Sequence, residues 1–296
     1  MNSIELKSRA KINLSIDVTG KREDGYHLVE MIMQTIDLYD IIKIKEIDID
    51  EININSNSSD IPLNENNIVY KAARLLKDQF NIKNGVEIFI EKNIPVAAGM
   101  AGGSCNAAAV LVGLNKIWNL NLSEKRLQEI GLKLGADVPF CISGNAALAQ
   151  GIGEELTYIE GLPRDTFILV CKPNLFVSTK EVYEGLDLQN IKNRPDNKFL
   201  IECLEKGNIN LLAKNMVNVL ETVTSNIHKE IKDIENIMLY NNALGAMMSG
   251  SGPTVFGLFD KEEDALNGKG ELLKKYNQVY IVRSSEKGVE VNGEFN

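Results

Sequence analysis

The sequence predicts an α+β protein built as two domains, and three observations carry that reading. Strand-period and helix-period segments mix without a strict βα repeat, which disfavours a doubly wound parallel sheet. A charged stretch containing Gly161 and Pro163, EELTYIEGLPRD at 154–165, interrupts the pattern near the middle of the chain. The length, 296 residues with 44% hydrophobic content, supports a sizeable core and more often divides into two domains than one. The expected division is 1–160 and 161–296.

From Lys11 to Val18 the chain alternates, with Ile12, Leu14, Ile16 and Val18 apolar and Lys11, Asn13, Ser15 and Asp17 polar. That is the strand period, and it puts Lys11 and Asn13 on one face. Two isoleucine-rich runs, 41–45 and 47–54, alternate in the same way, and Glu46 and Glu51 break the phase between them, as turns or bulges would. The stretch SNSSDIPLNENN at 56–67 is rich in turn formers, and Val69, Ala72, Ala73, Leu75 and Leu76 then recur at helical spacing. Val86, Ile88 and Ile90 mark a strand that ends by Pro95. The run NAAAVLVGLNKIW beginning at Asn106 is apolar nearly all round, so it reads as a buried helix. Ser123 suits an N-cap, Leu127, Ile130 and Leu134 form one stripe, and Gly135 stands where that helix should close. Beyond the boundary, FILV at 167–170, TVFGLF at 254–259 and QVYIVR at 278–283 are strand-like, with helical patterns between them.

A net charge of −9 and a pI near 5.0 argue against a surface that neutralises many phosphates, so no nucleic-acid partner is expected. Cys105, Cys141, Cys171 and Cys203 show no close pair and no histidine at metal-ligand spacing, which implies a reduced protein without structural zinc. The first twenty residues lack a signal-peptide layout and no apolar run is long enough to cross a bilayer. A soluble, cytoplasmic protein with a small-molecule ligand and no membrane partner is therefore expected.

Five segments carry candidate chemistry. In Pro95, Val96, Ala97, Ala98, Gly99, Met100, Ala101, Gly102, Gly103, Ser104 and Cys105 the glycines let backbone approach a ligand just before a helix starts. Such a loop either binds phosphate on free N–H groups or makes a tight strand-to-helix turn. No lysine followed by Ser or Thr ends it, and neither the dinucleotide fingerprint nor a protein-kinase catalytic loop is present. Asp137, in GADVP, is placed either to take a proton from an alcohol or to cap the next helix, and the roles are compatible. Lys11 and Asn13 are followed by the turn-like Asp24, Gly25, Tyr26 and His27, the last being one of two histidines. MSGSGPT at 248–254 is a second glycine loop, which closes over phosphates or turns a corner. Ser178 to Glu181 fits a capping box, with Tyr183 about one turn beyond Thr179.

Together, and in this order from about residue 9 to 260, these segments resemble the GHMP kinase superfamily. AKINL at 10–14, DGYH at 24–27, GADVP at 135–139 and SGSGPT at 249–254 are similar to the branch whose acceptor is a cytidine diphosphate-linked methylerythritol. The resemblance implies an N-terminal ATP-binding domain at 1–160, a ferredoxin-like C-terminal domain at 161–296 and an active site in the cleft between them. It implies ATP as phosphoryl donor with Mg²⁺, in the non-mevalonate route to isoprenoid precursors, in a monomer or weak homodimer. Asp137 becomes the base for the C2 hydroxyl and Lys11 its neighbour, which holds the carboxylate ionised and stabilises the alkoxide. Ser104 is placed at phosphate or metal, and Asn67 and Lys92 near the adenine. Tyr26 would stack on the cytosine and His27 bond its edge, with Asn13, Thr179 and Tyr183 as further substrate contacts.

The chain departs from the family loop GLGGGSS at Met100, Ala101 and Cys105, and Ala101 requires a φ that alanine can adopt. Asn106 stands where Asp is common and offers no carboxylate. Relatives acting on mevalonate, homoserine or a sugar are set apart by DGYH together with GADVP. A catalytically silent member is disfavoured by the presence of both Lys11 and Asp137.

Overall fold

The computed structural model describes residues 2–295. Two long strands, β1 (Ser3–Lys21) and β2 (His27–Ile47), form an antiparallel hairpin, followed by β3 (Ile52–Ser56), α1 (Ile68–Phe80) and β4 (Gly85–Glu91). Next come α2 (Gly102–Ile117), α3 (Glu124–Leu132), α4 (Val138–Ser143), β5 (Ala146–Gln150) and β6 (Glu155–Ile159). The second half holds β7 (Phe167–Lys172), α5 (Thr179–Glu184), α6 (Asn197–Glu205), α7 (Ile209–Asn215), α8 (Glu221–Ile227) and α9 (Glu230–Tyr240). It ends with β8 (Gly245–Met248), β9 (Val255–Phe259), α10 (Glu262–Leu273), β10 (Gln278–Val282) and β11 (Val289–Phe295). Among the described residues no helix is long and apolar enough to cross a membrane.

The first sheet has seven strands in the order β11-β1-β2-β4-β3, with β5 paired to β2 and β6 to β5. The second has four antiparallel strands in the order β10-β7-β9-β8. With α9 before β8 and α10 between β9 and β10, the second unit runs β-α-β-β-α-β, the ferredoxin-like arrangement. The stretch at 154–165 is not all linker, because β6 extends the first sheet to Ile159 and the chain crosses only after it. The last strand, β11, returns to pair with β1, so the end of the 161–296 segment lies in the first sheet.

The alternation read at 11–18 is the middle of a 19-residue strand, and it is not continuous. Register shifts fall between Arg9 and Lys11 and again between Asn13 and Ser15. Each such irregularity exchanges the faces of the strand. Ile4, Leu6, Ile16 and Val18 therefore pack in one core cluster, while Ala10, Ile12 and Leu14 pack in another. Between the two shifts Lys11 and Asn13 remain paired on one face, as the sequence implies.

The cap signals at Ser123 and Ser178 read well, and the Asn67 cap adds to them. Asn67, Ser123 and Ser178 cap α1, α3 and α5 by accepting from Val69 N, Arg126 N and Glu181 N. The expected close of α3 at Gly135 comes earlier, at a Lys133 C-cap, and Gly135 N bonds back to Gly131 O. Helix α2 is buried along most of its length against β1, α1 and α4, which accounts for its uniformly apolar sequence.

Candidate active site

A cavity of about 630 Å³ opens where β1, the β4–α2 loop, the start of α4 and the loop after β8 converge. From β1 come Lys11 and Asn13, both buried. Lys11 Nζ donates to Asn13 Oδ1 at 2.7 Å, and Asn13 Nδ2 donates to Met31 Sδ at 3.3 Å. The asparagine amide is thus oriented from both ends, with its oxygen toward the ammonium. Lys11 and Asp137 line the same cavity without an ion pair between them, and the ammonium bonds Asn13.

The glycine loop lines the cavity with Pro95, Val96, Ala97, Ala98 and Gly99, then with Ala101, Gly102, Gly103 and Ser104. Ala101 is the N-cap residue of α2 and offers no side-chain bond to the helix. The first turn closes with Cys105 N donating to Ala101 O at 2.9 Å. The N–H groups of Gly102, Gly103 and Ser104 precede that bond, which leaves the helix N-terminus fit for an anion. Gly99 has φ +73, and a Cβ there would lie 2.3 Å from Ser249 O, so glycine is required. Ala101 adopts φ +55, the left-handed region in which alanine is strained. Met100 and Cys105 do not line the cavity. Met100 is buried in the second core cluster and its carbonyl accepts from Lys11 N, while the Cys105 thiol sits 3.3 Å from Cys141 Sγ.

Asp137 occupies the N-cap position of α4 but makes no side-chain capping bond, so the cap reading is not what its carboxylate does. It lines the cavity instead, and its charge acts on its neighbours. Burial first, and the Asp137 carboxylate second, push the Tyr183 phenol up to about 12. The bond to Cys105, burial and the same carboxylate push the Cys141 thiol up.

Thr179 and Tyr183 of α5 line the cavity together with Gly250 and Ser251. The Thr179 and Ser251 hydroxyls are 2.8 Å apart. The His27 ring lies against Tyr183, with centroids 5.0 Å apart and planes at 37°. Tyr26, in contrast, is 61% exposed at the hairpin tip, where its N–H donates to Asp24 Oδ1 in a local turn. Asn67 and Lys92 also line the cavity. The Asn67 amide is engaged by its own cap bond and by Pro62 O, and Lys92 is held by the buried Asp40 carboxylate. Asp40 Oδ1 also accepts from Asn93 N at 2.7 Å and Ile94 N at 2.8 Å, which sets the course of the loop entering the site.

Sequence reasoning missed Met31, Asp40 and Asn218. Met31 reads as an ordinary apolar strand residue, and Asp40 and Asn218 act on partners distant in the chain. Ser249 stood within a flagged motif, yet nothing local marks its bonds to Gly99 O and Asn13 N.

The family profile described as GHMP kinases N terminal domain matches residues 67–145, and GHMP kinases C terminal matches 200–278. A 4-diphosphocytidyl-2-C-methyl-D-erythritol kinase of Clostridioides difficile (strain 630) is 74% identical over 296 residues, covering 100% of both chains. The protein of that name from Alkaliphilus oremlandii (strain OhILAs) is 54% identical over 98% of this chain and 100% of its own. A crystal structure of 4-(cytidine 5'-diphospho)-2C-methyl-D-erythritol kinase superposes with TM-score 0.82 at 29% identity, covering 95% of this chain and 99% of that one. Homoserine kinase from Cytophaga hutchinsonii shares the fold, with TM-score 0.79 at 19% identity over 98% of both chains.

Proposed function

Because the chain belongs to the GHMP kinases, in the branch of the 4-diphosphocytidyl-2-C-methyl-D-erythritol kinases, we propose that it phosphorylates the C2 hydroxyl of that diphosphocytidyl methylerythritol. It is a kinase, and ATP is its phosphoryl donor. In this reading the step belongs to the non-mevalonate route to isoprenoid precursors. The observation that supports it most is the uncapped Asp137 carboxylate sharing one cavity with Lys11 and the free N-terminus of α2.

The N–H groups of Gly102, Gly103 and Ser104 bind the phosphate oxygens, with the helix dipole adding to the attraction. Asp137 takes the proton of the acceptor hydroxyl as its oxygen attacks the terminal phosphorus in line, and the bond from that phosphorus to the β–γ bridging oxygen breaks to release ADP. Lys11, oriented by Asn13, stabilises the negative charge that develops on that oxygen. His27 and Tyr183 take the cytidine end, Tyr26 closes over it from the hairpin tip, and Thr179 and Asn13 fix the acceptor between.

Among the described residues no group of three His, Cys, Asp or Glu is arranged to hold a metal. Mg²⁺ carried by the triphosphate needs only one or two protein oxygens, and the Ser104 hydroxyl, which lines the cavity at the start of α2, would supply one while Asp137 stays free as the base. Bound there, the ion neutralises charge on the phosphates. We further propose a division after residue 160, with 1–160 binding ATP and β11 completing the first sheet from the far end of the chain.

The test is ADP release by the purified protein with ATP, Mg²⁺ and the diphosphocytidyl acceptor. Turnover with that acceptor is expected. Turnover only with mevalonate or homoserine transfers the chain to another substrate class of the same family.

A further inference from the structure

Three side chains from one short segment grip the backbone of the second glycine loop. Asn218 Nδ2 donates to Met248 O and to Gly250 O, both at 2.8 Å, while its Oδ1 accepts from Leu220 N at 3.0 Å. A flipped amide would set oxygen against two carbonyls and an NH₂ against an N–H, so the orientation is fixed by its partners. Glu221 Oε2 accepts from Met248 N at 2.8 Å, and Thr224 Oγ1 donates to Ser251 O at 3.1 Å. The segment is itself pinned to β1, with Ile16 N donating to Val217 O at 2.9 Å and Val219 N donating to Ile16 O at 3.0 Å.

None of these three side chains lines the cavity, yet Gly250 and Ser251, which they hold, do. Gly250 and Gly252 sit at φ +60 and +89, a backbone that glycine adopts freely and does not by itself fix. The loop's conformation therefore depends on bonds from outside, and these three side chains supply four of them beside those of Ser249 and Thr179. We propose that Asn218, Glu221 and Thr224 are positioning residues for phosphoryl transfer, setting Gly250 and Ser251 against Thr179 on the acceptor side of the cavity.

This rests on the kinase reading above, and the experiment separates the two. The variants are Thr224→Val, which keeps shape but loses the hydroxyl, Thr224→Ser, which keeps the hydroxyl, and Asn218→Asp, which turns a donor toward two carbonyls into an acceptor. Each is compared with the wild type by amide hydrogen exchange at 249–252, by thermal unfolding, and by kcat and KM from ADP release. Thr224→Val is expected to speed exchange at those amides alone and to lower kcat roughly fivefold or more, with KM for ATP little changed. Asn218→Asp is expected to do so at least as strongly, and Thr224→Ser to restore both readouts. Unchanged exchange in Thr224→Val overturns the holder, whether or not the wild type uses the proposed acceptor. Faster exchange with wild-type kcat overturns its catalytic relevance, as does an equal loss in Thr224→Ser that tracks lowered thermal stability. If Asn218→Asp does not fold, the two Thr224 variants decide.

Discussion

Ser249 Oγ donates to the carbonyl of Gly99 at 3.0 Å. The same oxygen accepts from Asn13 N at 3.3 Å, across 236 residues of chain. One buried hydroxyl thus joins both glycine loops to the strand that carries Lys11. Ser249→Ala leaves a buried carbonyl and a buried N–H without that partner, at a cost of about 1–3 kcal/mol. A lowered melting temperature together with reduced turnover is expected. Unchanged values of both would show that backbone packing alone holds the loops together.

Ala101→Gly tests the strain in the first loop. A left-handed alanine costs roughly 1–2 kcal/mol, and glycine removes that cost while adding up to about 1 kcal/mol of unfolded-state entropy. The net expectation is a small rise in melting temperature with ATP affinity retained, because the N–H groups of α2 stay in place. A fall in melting temperature would mean that the Ala101 side chain contributes packing which outweighs its backbone.

The distance over which each interaction acts explains what the sequence disclosed. Ser123 and Ser178 bond N–H groups three residues ahead, so their cap roles are legible from order alone, whereas Asn67, expected only near the adenine, caps α1 through Val69 N. Lys11 and Asn13 share a face because they are two apart within an unbroken stretch, but the register shift after Asn13 has no local mark. Asp137 left two compatible readings for the opposite reason: its position is that of a cap, and cap preference describes position, whereas its carboxylate makes no cap bond. Asn218, Ser249 and the return of β11 to β1 depend on partners more than 25 residues away, which periodicity does not reach.

Glu235 gives a pH dependence of stability whose sign can be worked out. It is 6% exposed, bonds Lys232 through one oxygen at 2.8 Å and leaves Oε1 without a partner. Burial first and the Glu221 carboxylate second raise its pKa to about 7, from an ordinary 4.5. Between those two values the folded protein binds more protons at this site than the unfolded chain does. Its contribution to stability therefore falls as pH rises through that window. Glu235→Gln, neutral at every pH, should flatten this part of the melting-temperature profile between about pH 4.5 and pH 7. An identical slope in wild type and variant would assign the effect to other groups.

The His27–Tyr183 contact predicts a split between substrates. His27→Ala removes a ring 5.0 Å from Tyr183, which is proposed to hold the cytidine end of the acceptor. KM for the diphosphocytidyl acceptor should rise about tenfold while KM for ATP stays within about twofold. With its phenol pushed up to about 12, Tyr183 stays neutral through the assay range and adds no pH dependence of its own. Equal changes in both KM values would place His27 outside the acceptor subsite.

Asp137→Asn isolates the proposed base from the helix it begins. In α4 the aspartate makes no capping bond, and asparagine is as good an N-cap as aspartate, so the variant has no reason to lose the start of that helix. Its melting temperature should stay close to that of the wild type, and ADP should still bind, because the N–H groups of α2 are untouched. Turnover should fall by about 10²–10⁴, the usual contribution of a positioned general base. Since shape and capping capacity are conserved, a loss of that size with an intact fold would come from the missing proton acceptor. Near-normal kcat in this variant would instead return Asp137 to a structural role and leave the acceptor hydroxyl to be deprotonated by solvent or by the phosphate itself.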